Sequence, residues 1–468
     1  MIDIKLIQAK PEKFEKAAKD KGFDVDINKL LKVDSALRDL KKLLQDNATY
    51  ENMVQKEIPT LSGKERQSKI ETLSNLKQDD VEWKKNIKKL QPEFNDLMYL
   101  VAQPADDDVP LGKDDTENVE IRTEGKIREF DFGPKDHVQL GTALDIIDIE
   151  RGVKLAGTRN YFLKGDGALL HHAVLQFAMD FMVGKGYVPM SVPLLARDEV
   201  MQGTGWFPDA ENQTYRTEAD EEVPIKDEAM TGQTMYQPSL PVSMTGSSSG
   251  SKEQQTYRTE KDLIINFVGT SEVPLTAYRM DEILKADELP LKYVAMSSCF
   301  RREAGAAGKD TYGLYRIHQF DKVEQVVICE NSVEQSNKFH DEILANAEAV
   351  MAALELPYRV SNVCTGDLGR GQAKKFDIEA WMPSRNNYCE THSASKFYEF
   401  QARRMNLRYK DIAAKKNLFC HTLNNTVIAS PRILIPILEL YQNADGSVTI
   451  PKVLRPYMSG REKIVKRE

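Results

Sequence analysis

A chain of 468 residues with 41% hydrophobic residues can bury a large core, and its length predicts two to four domains, or one large domain with an appendage. The net charge of −8 excludes attraction of nucleic acid by the molecule as a whole, so any such binding needs a local basic surface. No apolar run approaches the ~18 residues of a membrane span, and the start, MIDIKLIQAKPEKFEKAAKD, lacks the marks of a signal or transit peptide. The expected location is the cytoplasm, with no membrane attachment.

Residues 1 to about 26 read as a short strand and a helix. Then Ile27, Leu30, Val33, Leu37, Leu40 and Leu44 recur at spacings of three and four, the pattern of a coiled-coil seam. The breaker-rich EIPTLSGKERQ interrupts it. A second seam follows at Leu73, Leu76, Trp83, Ile87, Leu90, Phe94 and Leu97, with Asp80 in the one missed position. The spacing predicts an antiparallel helical hairpin over about 27–100, bearing lysines such as Lys84, Lys85, Lys88 and Lys89, which by themselves read as a solvated face. AQPADDDVPLGKDDTENVE shifts to Pro, Asp and Gly and marks the domain boundary near 102–120, dividing the chain into 1–110 and 111–468.

Beyond it, LKYVAMSSCFRRE, FDKVEQVVICE and KKFDIEAWMP predict an antiparallel sheet flanked by helices, so the fold class is α+β. His171 and His172 fall in a helical stretch where neighbours point to different faces, a pattern of packing. Five scattered cysteines (Cys299, Cys329, Cys364, Cys389 and Cys420) form no CxxC pair, which argues against a disulfide framework and against zinc. The segment 209–260, with QTYRTE at 213–218 and again at 255–260, reads as an extended, partly flexible loop.

The stretch SSCFRREAGAAGKDTYGLYRIHQFDKVEQ, residues 297–325, gathers charge around a glycine-rich turn. Residues two apart on a strand share a face, which groups Arg301 with Glu303, and Arg316, His318, Phe320, Lys322 and Glu324 with one another. A solvated sheet fits this pattern. An aromatic between an arginine and a carboxylate equally suits a flat ring with an anionic tail, such as a nucleotide.

This stretch resembles motif 2 of the class II aminoacyl-tRNA synthetases, specifically of the seryl-tRNA synthetase family. GYVPMSVPLL, with Pro193, resembles motif 1, and GTSEVPLT at 269–276 the family's serine-pocket strand. KKFDIEAWMPSRNNYCETHSASKFYEFQARRMNLRY and HTLNNTVIASPRILIPILELYQNADGSVTIPKVLRPYM resemble the motif 3 region. HVQLGTALDIIDIERGVKLAGTRNYFLKGDGALL is similar to the dimer-forming segment, and the helical hairpin to the tRNA-binding arm. Nearly the whole chain is covered, apart from 209–260.

The resemblance implies a ligase that activates serine with ATP and passes the seryl group to the terminal adenosine of tRNA(Ser), with tRNA(Sec) a further acceptor in the family. It implies a homodimer whose arm binds tRNA. Arg301 would hold the α-phosphate and contact serine, Glu303 the adenine amino group, and Phe320 the adenine ring. Arg316 and Arg432 would grip the γ-phosphate, and Glu390 and Ser393 a Mg²⁺ ion. Thr270, Glu272, Glu324, Asn424 and Thr426 would read serine. Three features depart from the family's pattern. Pro431 stands in IASPR where glycines are common, fixing φ and removing an N–H. Lys396 stands in SASKF where asparagine is common, adding charge near the metal ligands. The insertion at 209–260 follows GTGWFP. The competing readings are a non-catalytic tRNA-binding paralogue, which should have lost its arginines, a ligase charging a carrier protein, which should lack the arm, and a coiled-coil scaffold, which leaves the ordered motifs unexplained.

Overall fold

The computed structural model describes residues 1–217, 264–304 and 310–466. Most of the predicted 209–260 loop, including the second QTYRTE copy, lies outside them. Its described start forms the strand Arg216–Thr217, which pairs with Ile265–Phe267 beside Leu195–Arg197.

The N-terminal segment is helical from the outset. Its alternating IDIKLI suggests a strand, yet it forms α1 (Ile4–Ala9), because the Asp3 carboxylate accepts the Lys5 N–H and starts the first turn. After α2 (Pro11–Asp20) come the two arm helices, α3 (Ile27–Glu57) and α4 (Gly63–Leu100). At 1.5 Å per residue they run about 46 and 57 Å. Ile27, Leu30, Val33 and Leu37 are buried at the arm's base, as the seam predicts, while Leu40 and Leu44 are half-buried. Farther out, the missed seam position has a partner: Asn47 Nδ2 donates to Asp80 Oδ1 at 2.7 Å and to the Leu76 carbonyl at 3.0 Å.

The base of the arm shares its core with the rest of the chain. Ile7, Phe14, Ile27 and Leu30 cluster with Phe397 and Phe400. The predicted linker is stitched down as well: the backbone N–H groups of Gln103 and Asp106 donate to the carbonyls of Arg370 and Ala373, both at 2.9 Å.

Eight strands form the central sheet: β1 (Val119–Glu124), β2 (Val188–Met190), β3 (Leu291–Phe300), β4 (Gln319–Cys329), β5 (Tyr358–Asn362), β6 (Lys374–Met382), β7 (Asn387–Tyr398) and β8 (His421–Ser430). Their order is β1-β5-β6-β7-β8-β4-β3-β2, and every pair is antiparallel except β2 with β3. One face is covered by α5 (Asp166–Gly184), α7 (Val333–Ala353) and α8 (Leu434–Leu440), named with α6 (Glu272–Ala277) in chain order. Val323, Val327, Leu423 and Val427 point into that core. The alternate residues Phe320, Lys322, Glu324, Asn424 and Thr426 therefore point to the opposite face, where the site lies.

His171 on α5 fastens the sheet from behind, through Ser430 Oγ at 2.8 Å and Asp321 Oδ2 at 2.9 Å. Two expectations need correction here. GTSEVPLT is a turn entering α6 and not a strand, since Ser271 is already in the helical region. The paired strands also end at Phe300 and resume at Gln319, so Arg301, Glu303 and Arg316 belong to the connecting loop. Glu303 has φ of 51°, and the two-residue face rule does not govern it.

Candidate active site

The loop does what the strand rule could not and turns its charges inward. Arg301, Glu303, Arg316, Phe320, Glu390, Thr426 and Arg432 line one cavity, with Tyr315 and Lys322 beside them. The Arg301 guanidinium lies 5.3 Å from the Phe320 ring centroid and 5.7 Å from that of Trp206, and its Nε donates to the Gly269 carbonyl at 3.3 Å. Gly269 has to be glycine: a Cβ there would meet Trp206 Cζ2 at 2.6 Å.

Arg316 is held by Asp310 Oδ2 at 3.0 Å and Glu303 Oε2 at 3.5 Å. Arg432 donates to the Tyr315 and Glu390 carbonyls, both at 3.2 Å, and its charge faces Glu390 Oε2 at 3.7 Å. Pro431 thus leaves Arg432 inside the cavity. Crowding by the cavity wall works to raise the Glu390 pKa, but Arg432, Lys375, Arg301 and Arg316 outweigh it and hold the carboxyl below its ordinary value. Its side chain stays 48% exposed. Ser393 lies three residues along β7, opposite Asp377 on β6. Burial, reinforced by the charge of Glu390, pushes the Asp377 carboxyl up to about 7 against the pull of Lys375.

Deeper in, polar groups form a closed network. Lys322 Nζ meets Glu324 Oε2 at 2.5 Å and Thr270 Oγ1 at 2.8 Å. Thr426 Oγ1 donates to Glu324 Oε2 at 3.4 Å, and Gln401 Nε2 to Glu272 Oε1 at 2.8 Å. Burial, then repulsion from Glu324, raises the Glu272 pKa to about 7. Asn424 Nδ2 is buried without a hydrogen-bond partner.

Of the sequence-expected residues, seven share the cavity, Thr270, Glu272 and Glu324 lie in the buried network, and Ser393 and Asn424 are bonded into neither; four further residues of the site had no assigned role. Lys322 was detectable, since it alternates with Phe320 and Glu324. Gln401, Asp310 and Tyr315 carry no such mark, because their partners are set by the loop and by a distant helix end. Lys396, expected to add charge near Glu390 and Ser393, points elsewhere: it is 2% exposed and pairs with Asp106 at 2.6 Å. Among the described residues, no group of three or more His, Cys, Asp or Glu side chains is gathered for a metal.

A largely antiparallel sheet, with Arg301, Arg316 and Arg432 brought over Phe320 by the segments that flank its strands, is the core of a class II synthetase. Residues 257–441 match the family model described as tRNA synthetase class II core domain (G, H, P, S and T), and residues 1–102 match that of the Seryl-tRNA synthetase N-terminal domain. The chain is 39% identical to the serine–tRNA ligase of Deinococcus radiodurans, over 99% of this chain and 98% of that one. It is 37% identical to that of Dictyoglomus thermophilum, over 98% of each. It also superposes with a TM-score of 0.84 and 32% identity on the crystal structure of seryl-tRNA synthetase from Pyrococcus horikoshii complexed with ATP, covering 100% of both chains. The chain belongs to the serine–tRNA ligase family.

Proposed function

We propose that this chain charges tRNA(Ser) with L-serine at the expense of ATP. The observation that supports the reading best is the convergence of Arg301, Arg316 and Arg432 on one cavity that is also lined by Lys322 and Thr426, both bonded to the buried Glu324. In the first step a serine carboxylate oxygen attacks the α-phosphorus of ATP, pyrophosphate leaves, and seryl-adenylate forms. The nucleophile is already ionised, so no general base is needed. Arg301 stabilises the charge gathering on the α-phosphate, Glu303 and Phe320 hold the adenine, and Arg316 and Arg432 hold the γ-phosphate. In the second step a ribose hydroxyl of the terminal adenosine attacks the seryl carbonyl, and AMP leaves.

Glu272 and Glu324 neutralise the serine ammonium, while Thr270, Asn424 and Thr426 bond its polar groups. Alanine is rejected because these buried partners are then stranded. Glu390 and Ser393 offer a carboxylate kept ionised and a hydroxyl, an oxygen donor set that fits Mg²⁺ when the phosphates supply the rest. The ion would draw off charge from the phosphate oxygens.

Residues 1–110 are assigned to tRNA binding and 111–468 to catalysis. The exposed Lys84, Lys85, Lys88 and Lys89 would contact tRNA phosphates. The working form is taken as a cytoplasmic homodimer, with tRNA(Sec) a further acceptor. The test is exchange of labelled pyrophosphate into ATP with serine, threonine, alanine and glycine. Serine-selective exchange that falls by at least about a hundredfold in Arg301→Ala supports the reading. No exchange from the folded protein with any of the four sinks it.

A further inference from the structure

Arg385 closes the short turn Pro383–Arg385 between β6 and β7, and no motif singles it out. Its guanidinium lies 4.1 Å from the Tyr315 ring centroid, and that of Arg432 lies 4.3 Å from the same ring. Arg385 Nη2 meets Asp310 Oδ1 at 2.8 Å while Arg316 Nε meets Asp310 Oδ2 at 3.0 Å. One carboxylate is therefore clamped between two guanidinium groups at the end of the cavity where Arg316 and Arg432 lie. Burial works against the Asp310 charge, but the bonds from Arg316 and Arg385 outweigh it and hold its pKa below the ordinary value. An anion that displaces Asp310 from Arg316 comes within reach of Arg385 as well. Planar guanidinium forks suit phosphate oxygens as well as they suit a carboxylate.

We propose that Arg385 is a further polyphosphate-binding residue, gripping the terminal phosphates of ATP, and that Asp310 is the internal anion the nucleotide displaces. The inference rests on the ATP-binding reading of this cavity. A bare brace for the loop would use the same Arg385–Asp310 contact, so the two substitutions must be compared. Arg385→Ala should weaken ATP binding about tenfold by calorimetry, the loss of one charge-assisted hydrogen bond. Binding of a seryl-adenylate analogue that lacks the β- and γ-phosphates should be unchanged, and Arg385→Lys should restore part of the loss. Asp310→Asn should tighten ATP, because a competing anion is gone.

Unchanged ATP affinity in Arg385→Ala overturns the proposal. So does equal weakening by Arg385→Ala and Asp310→Asn, the signature of a brace. Wild-type protein that binds ATP but supports no serine-dependent exchange would fail the activity reading while leaving this comparison decisive.

Discussion

Lys322 Nζ and Glu324 Oε2 stand 2.5 Å apart, with only 8% and 2% of their side chains exposed, at the floor of the acidic pocket. The same ammonium donates to Thr270, so one cation organises two of the groups assigned to serine. Without it, Glu272 and Glu324 would face each other in a dry site. Lys322→Met should raise the serine KM by about a hundredfold or more and leave the ATP KM within about twofold, since breaking one partner of a buried pair costs about 3–5 kcal/mol. Initial rates of pyrophosphate exchange at varied serine and varied ATP separate the two. An equal rise in both would place the defect in folding.

Glu272 gives a pH dependence whose sign can be worked out. Its pKa rises from 4.5 to about 7 in the folded, ligand-free chain. Between those values the folded state binds more protons than the unfolded one, so this group's contribution to stability falls as pH rises from about 4.5 to about 7. The serine ammonium needs the ionised form. The serine KM should therefore fall as pH rises through 7 and level off above it. Glu272→Gln should weaken serine binding and remove this pH dependence, and a wild-type KM flat from pH 6 to 8 would contradict the assignment.

The Asn47–Asp80 pair lies well up the arm, far along the chain from the catalytic motifs. Asn47→Ala leaves Asp80 and the Leu76 carbonyl each short of a donor. It should loosen the arm by about 1–2 kcal/mol. Serine-dependent exchange should be unaffected, while transfer to tRNA(Ser) slows. Equal losses in both assays would show that the arm's effect reaches the adenylation site.

Lys396 pairs with Asp106 in the stitched linker, and Tyr398 donates to the same carboxylate at 2.9 Å. Lys396→Met should lower unfolding free energy by about 3 kcal/mol or more, with KM values for serine and ATP unchanged. Thermal denaturation and steady-state exchange check the two halves. A changed ATP KM at wild-type stability would restore the expectation that this charge acts on the metal ligands.

Much of this molecule is written in local pattern. The three-and-four spacing from Ile27 to Leu97 sufficed for the arm, because a helical seam depends only on which residues share a stripe. The alternation of Phe320, Lys322 and Glu324 sufficed to put these three side chains on one face of β4. The motifs around Arg301, Glu390 and Arg432 pointed to the family, since ordered motifs survive without knowledge of any contact.

Tertiary structure decided the rest, where partners lie far apart in sequence. Alternation in IDIKLI lost to the Asp3 cap and to burial of Ile7 against Phe14 and Phe397. Glu303 meets Arg316 through a left-handed turn that no strand rule anticipates. Lys396 sits three residues from Ser393, yet its charge goes to Asp106, because the linker packs against its end of the sheet and supplies the only carboxylate paired with it among the described residues. Sequence alone pointed to the arginines, the carboxylates and Phe320 of this site, and not to Asp310, Tyr315 or Gln401. Which of them face one another was set by loop conformation and by the docking of distant segments, since an ion pair answers to distance in space and not to distance along the chain.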